Sequence, residues 1–346
     1  MEFSLQCAYA YGTSALRSHV NTSPSTPAFV WPVMAAARSR WAGKVDLQLV
    51  AMCVPLSAFA PGCADGDALA SLAATHGGLL GVSLSQPTRP AAESHSLAAE
   101  SLKLQSGGHG GLRKADFEAC VEGFFEAAVK HGLAIDVHAD ENGDDEADAV
   151  RLVACKALEH GLKGKVTVGH ATALALAAPD LRATTLAALR AADVGLVSLP
   201  MVNMYLQDRV PGRTPLWRGV TLLHEIKAAG VRVALASDNT RDAFYAYGDL
   251  DMLEVLREGV RIGHLDHPIG DWPTAVTSVP ASILGAAGHG CIIRGLAANL
   301  VLFRARSFSE LLSRSQHDRI VIRDGAVITA TVPDFAVLDD LMMGKA

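Results

Sequence analysis

An α/β barrel of the TIM type is the fold class this sequence predicts, and three observations predict it. Seven short β-rich runs recur along the chain: Ser14–Val20, Val45–Met52, Gly78–Leu84, Ala134–His138, Lys165–His170, Val194–Leu199 and Val231–Ala236. Apolar residues at helical spacing lie between them, as in "DFEACVEGFFEAAVKHG" and "TLLHEIKAAG". Such strand–helix–strand repetition implies parallel strands joined by crossover helices. No Gly-rich dinucleotide fingerprint follows an early strand, which lowers the alternative of a doubly wound open sheet. Seven such strands suggest a (β/α)8 barrel, which needs eight.

Composition bounds the rest. The chain has 346 residues, half of them hydrophobic, enough for a barrel-sized core. Net charge is -6 and the sequence pI about 6.1. With no basic stripe, a nucleic-acid partner is not expected. The apolar runs are strand-sized, short of the roughly 18 to 20 residues of a membrane span, so no membrane partner is expected. The start, "MEFSLQCAYAYG", lacks the charged and apolar regions of a secretory leader. Six scattered cysteines without a CxxC read as free thiols in a reducing, cytoplasmic setting.

Two segments break the βα rhythm. Residues 85–111, "SQPTRPAAESHSLAAESLKLQSGGHGG", are rich in Ser, Pro and Gly and read as a loop insertion after a strand. After Gly295, "LAANLVLFRA" and "RIVIRDGAVITATVP" read as short antiparallel strands with an Asp324-Gly325 turn. The expected organisation is a barrel over 1–290 and a small β remnant with a tail over 291–346.

Barrel enzymes place chemistry at the C-terminal ends of their strands. The fourth run ends in His138, with Glu141 just beyond; the fifth ends in His170; the last is followed by Asp238. Imidazole and carboxylate together suit a divalent ion such as Zn2+ or Fe2+. Such an ion makes hydroxide available near neutral pH, and a carboxyl group beside that water moves protons. Each residue alone has a plainer reading. A strand-end His usually satisfies a local hydrogen bond, Asp238 could cap a helix, and Glu141 with Asp144 and Asp145 could favour a helix start. The shared position on successive strands favours a catalytic site.

The chain resembles the amidohydrolase superfamily, most closely its cytosine deaminase-like branch. The resemblance is carried by "LRSHV", "VDLQLVAM", "IDVHADENGDDEA", "VTVGHATAL", "SLPMVNMYLQDR", "GVTLLHEIKAAGVRVALASDNTRDAFYAYGDLDMLEVL" and "GLAANLVLF". It implies a distorted (β/α)8 barrel with a small β-sandwich and one divalent metal ion, Zn or Fe. It implies that His138 and Asp238 bind the metal, that Asp238 also takes a proton from the metal's water, and that His170 orients the nucleophile or polarises the substrate. Glu141 would carry protons to the ring and the leaving amine. Asn203 and Gln207, after the seventh family strand, would line the pocket.

The departures shape the expectation. Family members open with a strand ending in His-x-His, which supplies two metal ligands. None of the thirteen histidines here is spaced i, i+2 from another. The homology begins at the family's second strand, so a chain lacking the first strand is expected to hold metal weakly. It is also expected to be poorly soluble or to self-associate as a homo-oligomer. Val54 stands near the place of a substrate-reading Gln, Asn239 replaces a second acid, and Phe244 replaces an indole. Replacing an amide by valine removes a donor and an acceptor, so the pocket should favour another amide, cyclic amidine or heterocycle over cytosine. The expected function is metal-dependent hydrolysis of a non-peptide C–N bond of a small molecule. The alternative is an inactive homologue that binds a small molecule or a partner.

Overall fold

The computed structural model describes residues 1–85, 112–286 and 288–343. The expected loop insertion over 85–111 lies outside them from residue 86 on. Strand β1 (Ala15–Thr22) is followed by helix α2 (Val30–Trp41), β2 (Asp46–Cys53), α3 (Asp65–Thr75) and β3 (Leu79–Leu84), with α1 (Glu2–Tyr11) ahead of them. The order continues with α4 (Lys114–Lys130), β4 (Ile135–Ala139), α5 (Ala149–Glu159), β5 (Val166–His170), α6 (Pro179–Ala191) and β6 (Gly195–Ser198). Next come α7 (Pro200–Leu206), α8 (Leu223–Ala228), β7 (Arg232–Leu235), α9 (Met252–Gly263) and α10 (Ser278–Leu284). The seven strands form one parallel sheet in the order β1-β2-β3-β4-β5-β6-β7. Each lies within two residues of its expected position.

Alternation within the strands explains both faces. Leu47, Leu49, Ala51 and Cys53 of β2, and Ile135, Val137 and Ala139 of β4, belong to the main apolar cluster beneath the helices. The helices answer with one apolar stripe each, as α4 does with Phe117, Cys120, Val121, Phe124 and Phe125. The intervening residues are Gln48 on β2, Asp136 and His138 on β4, and Thr167 on β5, so by strand periodicity they face the other side. Contacts across that inner side show the sheet curling. Arg17 on β1 reaches Asp136 on β4 (2.7 Å) and Thr167 on β5 (3.0 Å), strands that are not its neighbours. The architecture is therefore a curled seven-stranded α/β half-barrel, in which β1 and β7 pair with each other nowhere among the described residues.

Helix α10 plugs the N-terminal end of this curl. Its Leu284 carbonyl accepts from Gln48 Nε2 at 2.6 Å and its Ile283 carbonyl from Arg17 Nη2 at 3.4 Å. The C-terminal strands β8 (Leu300–Leu302), β9 (Ile320–Arg323) and β10 (Ala326–Val327) make a separate antiparallel sheet in the order β10-β9-β8. Asp324 (φ 48°) and Gly325 (φ 79°) close its hairpin, as the Asp-Gly pair implied. Arg319 docks this sheet on the barrel through both Asp251 oxygens, at 2.7 and 2.6 Å.

Two local readings are corrected. The opening "MEFSLQCAYAY", read only for what it lacks, is helix α1. It ends at Gly12, whose φ of 104° is in the left-handed region that favours glycine. The acidic run after His138 starts no helix: α5 begins only at Ala149 and has no acid in its first turn. Asp140 instead reaches forward to the N–H groups of Ala149 (3.2 Å) and Val150 (2.9 Å), satisfying two of that helix's free donors from a distance.

Candidate active site

Strand periodicity aims the site. On β4, Asp136 and His138 share a face, and the strand ends of β4 and β5 stand side by side, with Ala139 registered on His170. One ligand atom each from His138, Glu141 and His170 lies within 4.8 Å of the others. His170 Nδ1 is 3.3 Å from Glu141 Oε1 and 4.0 Å from Asp238 Oδ2. The tight group thus holds Glu141 beside the two histidines, and Asp238 flanks it. Backbone turns in the left-handed region at Asp140 (φ 51°), His170 (72°), Ala171 (51°) and Asp238 (64°) mark three strand ends bent to present these side chains. No helix begins at Asp238; the next, α9, is capped by Asp251, so Asp238 is not spent as a cap.

Short helix α7 supplies the outer wall. Asn203 and Gln207 are i, i+4 and fully or almost fully buried. Asn203 Nδ2 lies 3.2 Å from Glu141 Oε1 and 2.9 Å from His170 Nδ1. Gln207 Nε2 donates to the Glu141 carbonyl at 3.4 Å. The other expected pocket residues are less committed. Asn239 donates to Asp242 Oδ2 at 2.6 Å, and the Phe244 N–H donates to Asp242 Oδ1 at 2.9 Å, so both are tied to a local turn. Val54 follows β2, and its N–H donates to the Thr22 carbonyl at 2.9 Å.

Burial sets the charges. It lowers His138 to about 3, with the neighbouring His19 adding to the effect, and it holds His170 well below the usual imidazole range. It raises Glu141 well above the carboxylate range, with Asp238 adding to the effect, and raises Asp238 as well. Neutral His138 has a lone pair to give a metal, and a protonated Glu141 has a proton to give a substrate.

These residues suit a divalent ion on two grounds. Asp238 Oδ2 is buried with no hydrogen-bond partner, a costly state that a cation would relieve. The donor set, imidazole nitrogen and carboxylate oxygen, matches Zn2+ or Fe2+.

Sequence reasoning missed the layer beneath. Arg17 binds Asp136 and also places Nε and Nη2 at 3.1 and 2.9 Å from Gln48 Oε1. His19 Nε2 lies 3.1 Å from Asp136 Oδ1, and the His19 ring meets His138 edge-on at 4.8 Å between centroids. The signal was in "LRSHV": Arg17 and His19 at i, i+2 on one strand are polar residues on a face that should be apolar.

A half-barrel with histidines and acids gathered at its strand ends defines a metal-dependent hydrolase of carbon–nitrogen bonds. The match to the Amidohydrolase family model over residues 53–329 places the chain in that family. It is 44% identical over 343 residues to a pterin deaminase of Rhizobium rhizogenes, covering 99% of this chain and 72% of that protein. It is 28% identical over 242 residues to N-isopropylammelide isopropyl amidohydrolase of Pseudomonas sp., covering 68% of this chain and 57% of that protein. Among solved structures, 5-methylcytosine deaminase from Klebsiella pneumoniae superposes with a TM-score of 0.76 at 23% identity, covering 96% of this chain and 74% of that one. N-isopropylammelide isopropylaminohydrolase from Burkholderia multivorans gives 0.70 at 23% identity, covering 94% and 73%. No helix among the described residues is long and apolar enough to cross a membrane.

Proposed function

We propose that this site performs hydrolytic deamination of a fused, amino-substituted nitrogen heterocycle, with pterin as the first candidate. The observation that carries the reading is the buried Glu141 held between Asn203, His170 and Asp238. Likeness to a pterin deaminase along almost the whole chain supports the substrate class, as does Val54 where the cytosine-reading amide stands in the related branch.

His138 and Asp238 would hold the ion, which when bound would supply a water activated for attack. The remaining work falls to the chain. Asp238 accepts a proton as the water oxygen bonds to the ring carbon bearing the amino group. Neutral His170 donates toward the developing negative charge on the ring. Glu141, protonated by its burial, gives its proton to the ring nitrogen as that bond forms; the proton on Asp238 then passes to the departing nitrogen and the hydroxyl proton returns to Glu141, so that ammonia leaves as the ring carbon becomes a carbonyl. Asn203 fixes the Glu141 and His170 heads relative to one another, and Gln207 ties down the Glu141 backbone. The relevant species is one ion per site, Zn or Fe, held inside the cell in a reducing setting.

The test is ammonia release from pterin and from cytosine by the metal-loaded protein, followed by an enzyme-coupled assay. Turnover of pterin with cytosine inert is the expected result. Robust release from cytosine, or none from pterin or a related amino-heterocycle, would overturn the substrate reading.

A further inference from the structure

Asp238 takes its aim from the chain that carries it. Its Oδ2 is buried with no hydrogen-bond partner, 4.0 Å from His170 Nδ1, so the backbone largely sets where that oxygen points. That backbone is strained. Asp238 (φ 64°) and Arg241 (φ 55°) both lie in the left-handed region, which non-glycine residues rarely adopt. Such conformations persist only where the surroundings over-determine them. The segment from Asp238 to Asp249 forms no helix or strand, so its order comes from side chains.

Two side chains supply it. Asp242 shapes the turn from within, accepting from Asn239 Nδ2 at 2.6 Å and from the N–H groups of Phe244 and Tyr245 at 2.9 and 3.0 Å. Arg241 fastens the turn to the rest of the molecule. Its N–H donates to the Tyr247 carbonyl at 3.2 Å and its Nη1 to the Gly248 carbonyl at 3.1 Å, and Nη1 also pairs with Asp249. The Tyr11 hydroxyl, on α1, donates to Asp249 Oδ2 at 2.8 Å. The Arg241 guanidinium carbon lies 4.9 Å from the ring centroid of Phe3, also on α1, and 5.4 Å from that of Phe335. Those two rings are 5.6 Å apart and inclined by 30°. Phe335 opens a short 3-10 turn, Phe335–Leu338. One arginine thus gathers the first helix, the C-terminal segment and the loop that begins at Asp238. The Arg241 and Asp249 side chains are 18% and 24% exposed, a pair largely shielded from water. A planar guanidinium against aromatic faces is a geometry that lysine does not reproduce.

We propose that Arg241 is a positioning residue for the hydrolytic reaction: it holds the loop so that Asp238 faces the site, with Phe3, Phe335 and Tyr11 as its anchors. The inference rests on the deaminase reading above and adds the residues that aim one of its side chains.

The experiment uses the full chain, zinc-loaded, with Arg241→Met, Arg241→Lys and Phe335→Leu. Three quantities are read: kcat and KM on pterin, zinc affinity by chelator competition, and hydrogen–deuterium exchange of peptides covering residues 238–249. Arg241→Met should lower kcat and zinc affinity by about 10–100-fold, the usual cost of losing a group that orients a ligand, with KM within about twofold of the parent. Exchange should rise over 238–249 and stay parent-like in β4 and β5. Arg241→Lys keeps the charge and should recover part of the loss. Phe335→Leu, at a ring 58% exposed, should leave the fold intact and lower kcat by about two- to fivefold, the worth of one exposed cation–π contact. In Arg241→Met, a lower thermal midpoint with kcat per zinc-loaded molecule unchanged would show a merely structural role and overturn the inference. Parent-like exchange over 238–249 would overturn it too. A parent inert on pterin counts against the proposed substrate and not against Arg241, whose role zinc affinity and exchange then decide. If Arg241→Met fails to fold, Arg241→Lys and Phe335→Leu carry the same test.

Discussion

Replacing Arg17 with methionine should destabilise the protein by about 3 kcal/mol. The side chains of Arg17 and Asp136 are 10% and 7% exposed, so their pair is shielded from water. Removing one partner of a buried pair typically costs about 3–5 kcal/mol, because the other charge stays buried and uncompensated. Asp136 keeps His19 on one oxygen at 3.1 Å, which moves the expectation to the lower end. Methionine replaces most of the arginine stem, so little packing is lost. The Gln48 side-chain carbonyl and Thr167 hydroxyl also lose their shared donor. With a urea slope of about 3 kcal/mol/M, the upper part of the range for small proteins, the midpoint should fall by about 1 M. The double variant Arg17→Met, Asp136→Leu should be more stable than Arg17→Met alone, since an apolar pair leaves no buried charge. Urea unfolding followed by tryptophan fluorescence measures both. A change below about 0.5 kcal/mol in Arg17→Met, the range of ordinary surface substitutions, would show that the network does not hold the curl together.

Glu141→Gln should lower deaminase kcat by at least about a hundredfold, the lower end of general acid–base contributions, with zinc content retained; an unchanged kcat removes Glu141 from proton transfer. Asn203→Ala should lower kcat/KM by about tenfold or more, since it frees the Glu141 and His170 heads, and steady-state kinetics on the folded variant would show this. Gly123→Ala lies inside α4, where alanine normally stabilises by about 1 kcal/mol. Here the added Cβ would sit 2.2 Å from the Phe59 carbonyl oxygen, so the thermal midpoint should drop instead of rise. Among the cysteines, exposed Cys63 and Cys291 should react quickly with a disulfide reagent. Cys53, buried and with its thiol pushed up to about 12 by that burial, should react only on unfolding; thiol counts before and after denaturant check this.

The strands were legible because their information is local. Valine-, isoleucine- and leucine-rich runs of strand length, separated by helical spacing, specify a parallel α/β fold without reference to distant residues. The positions of His138, His170 and Asp238 were legible too, since the strand-end rule ties them to one rim. The acidic run after His138 was misread because charge composition alone favours a helix start, while the chain's path sends Asp140 to cap α5 nine and ten residues on.

What tertiary structure decided was who meets whom across the curl. His19 reaches Asp136 over 117 positions and Arg17 reaches Thr167 over 150. No local pattern reports such a pairing, because it depends on how far the sheet bends. Asn203 was expected near the pocket, but its place between Glu141 and His170, over separations of 62 and 33 residues, exists only because α7 folds back over the strand ends. Sequence periodicity determines which face a side chain takes. The curvature that brings β1 opposite β4 and β5 sums small twists over the whole sheet, and only the assembled sheet sets it.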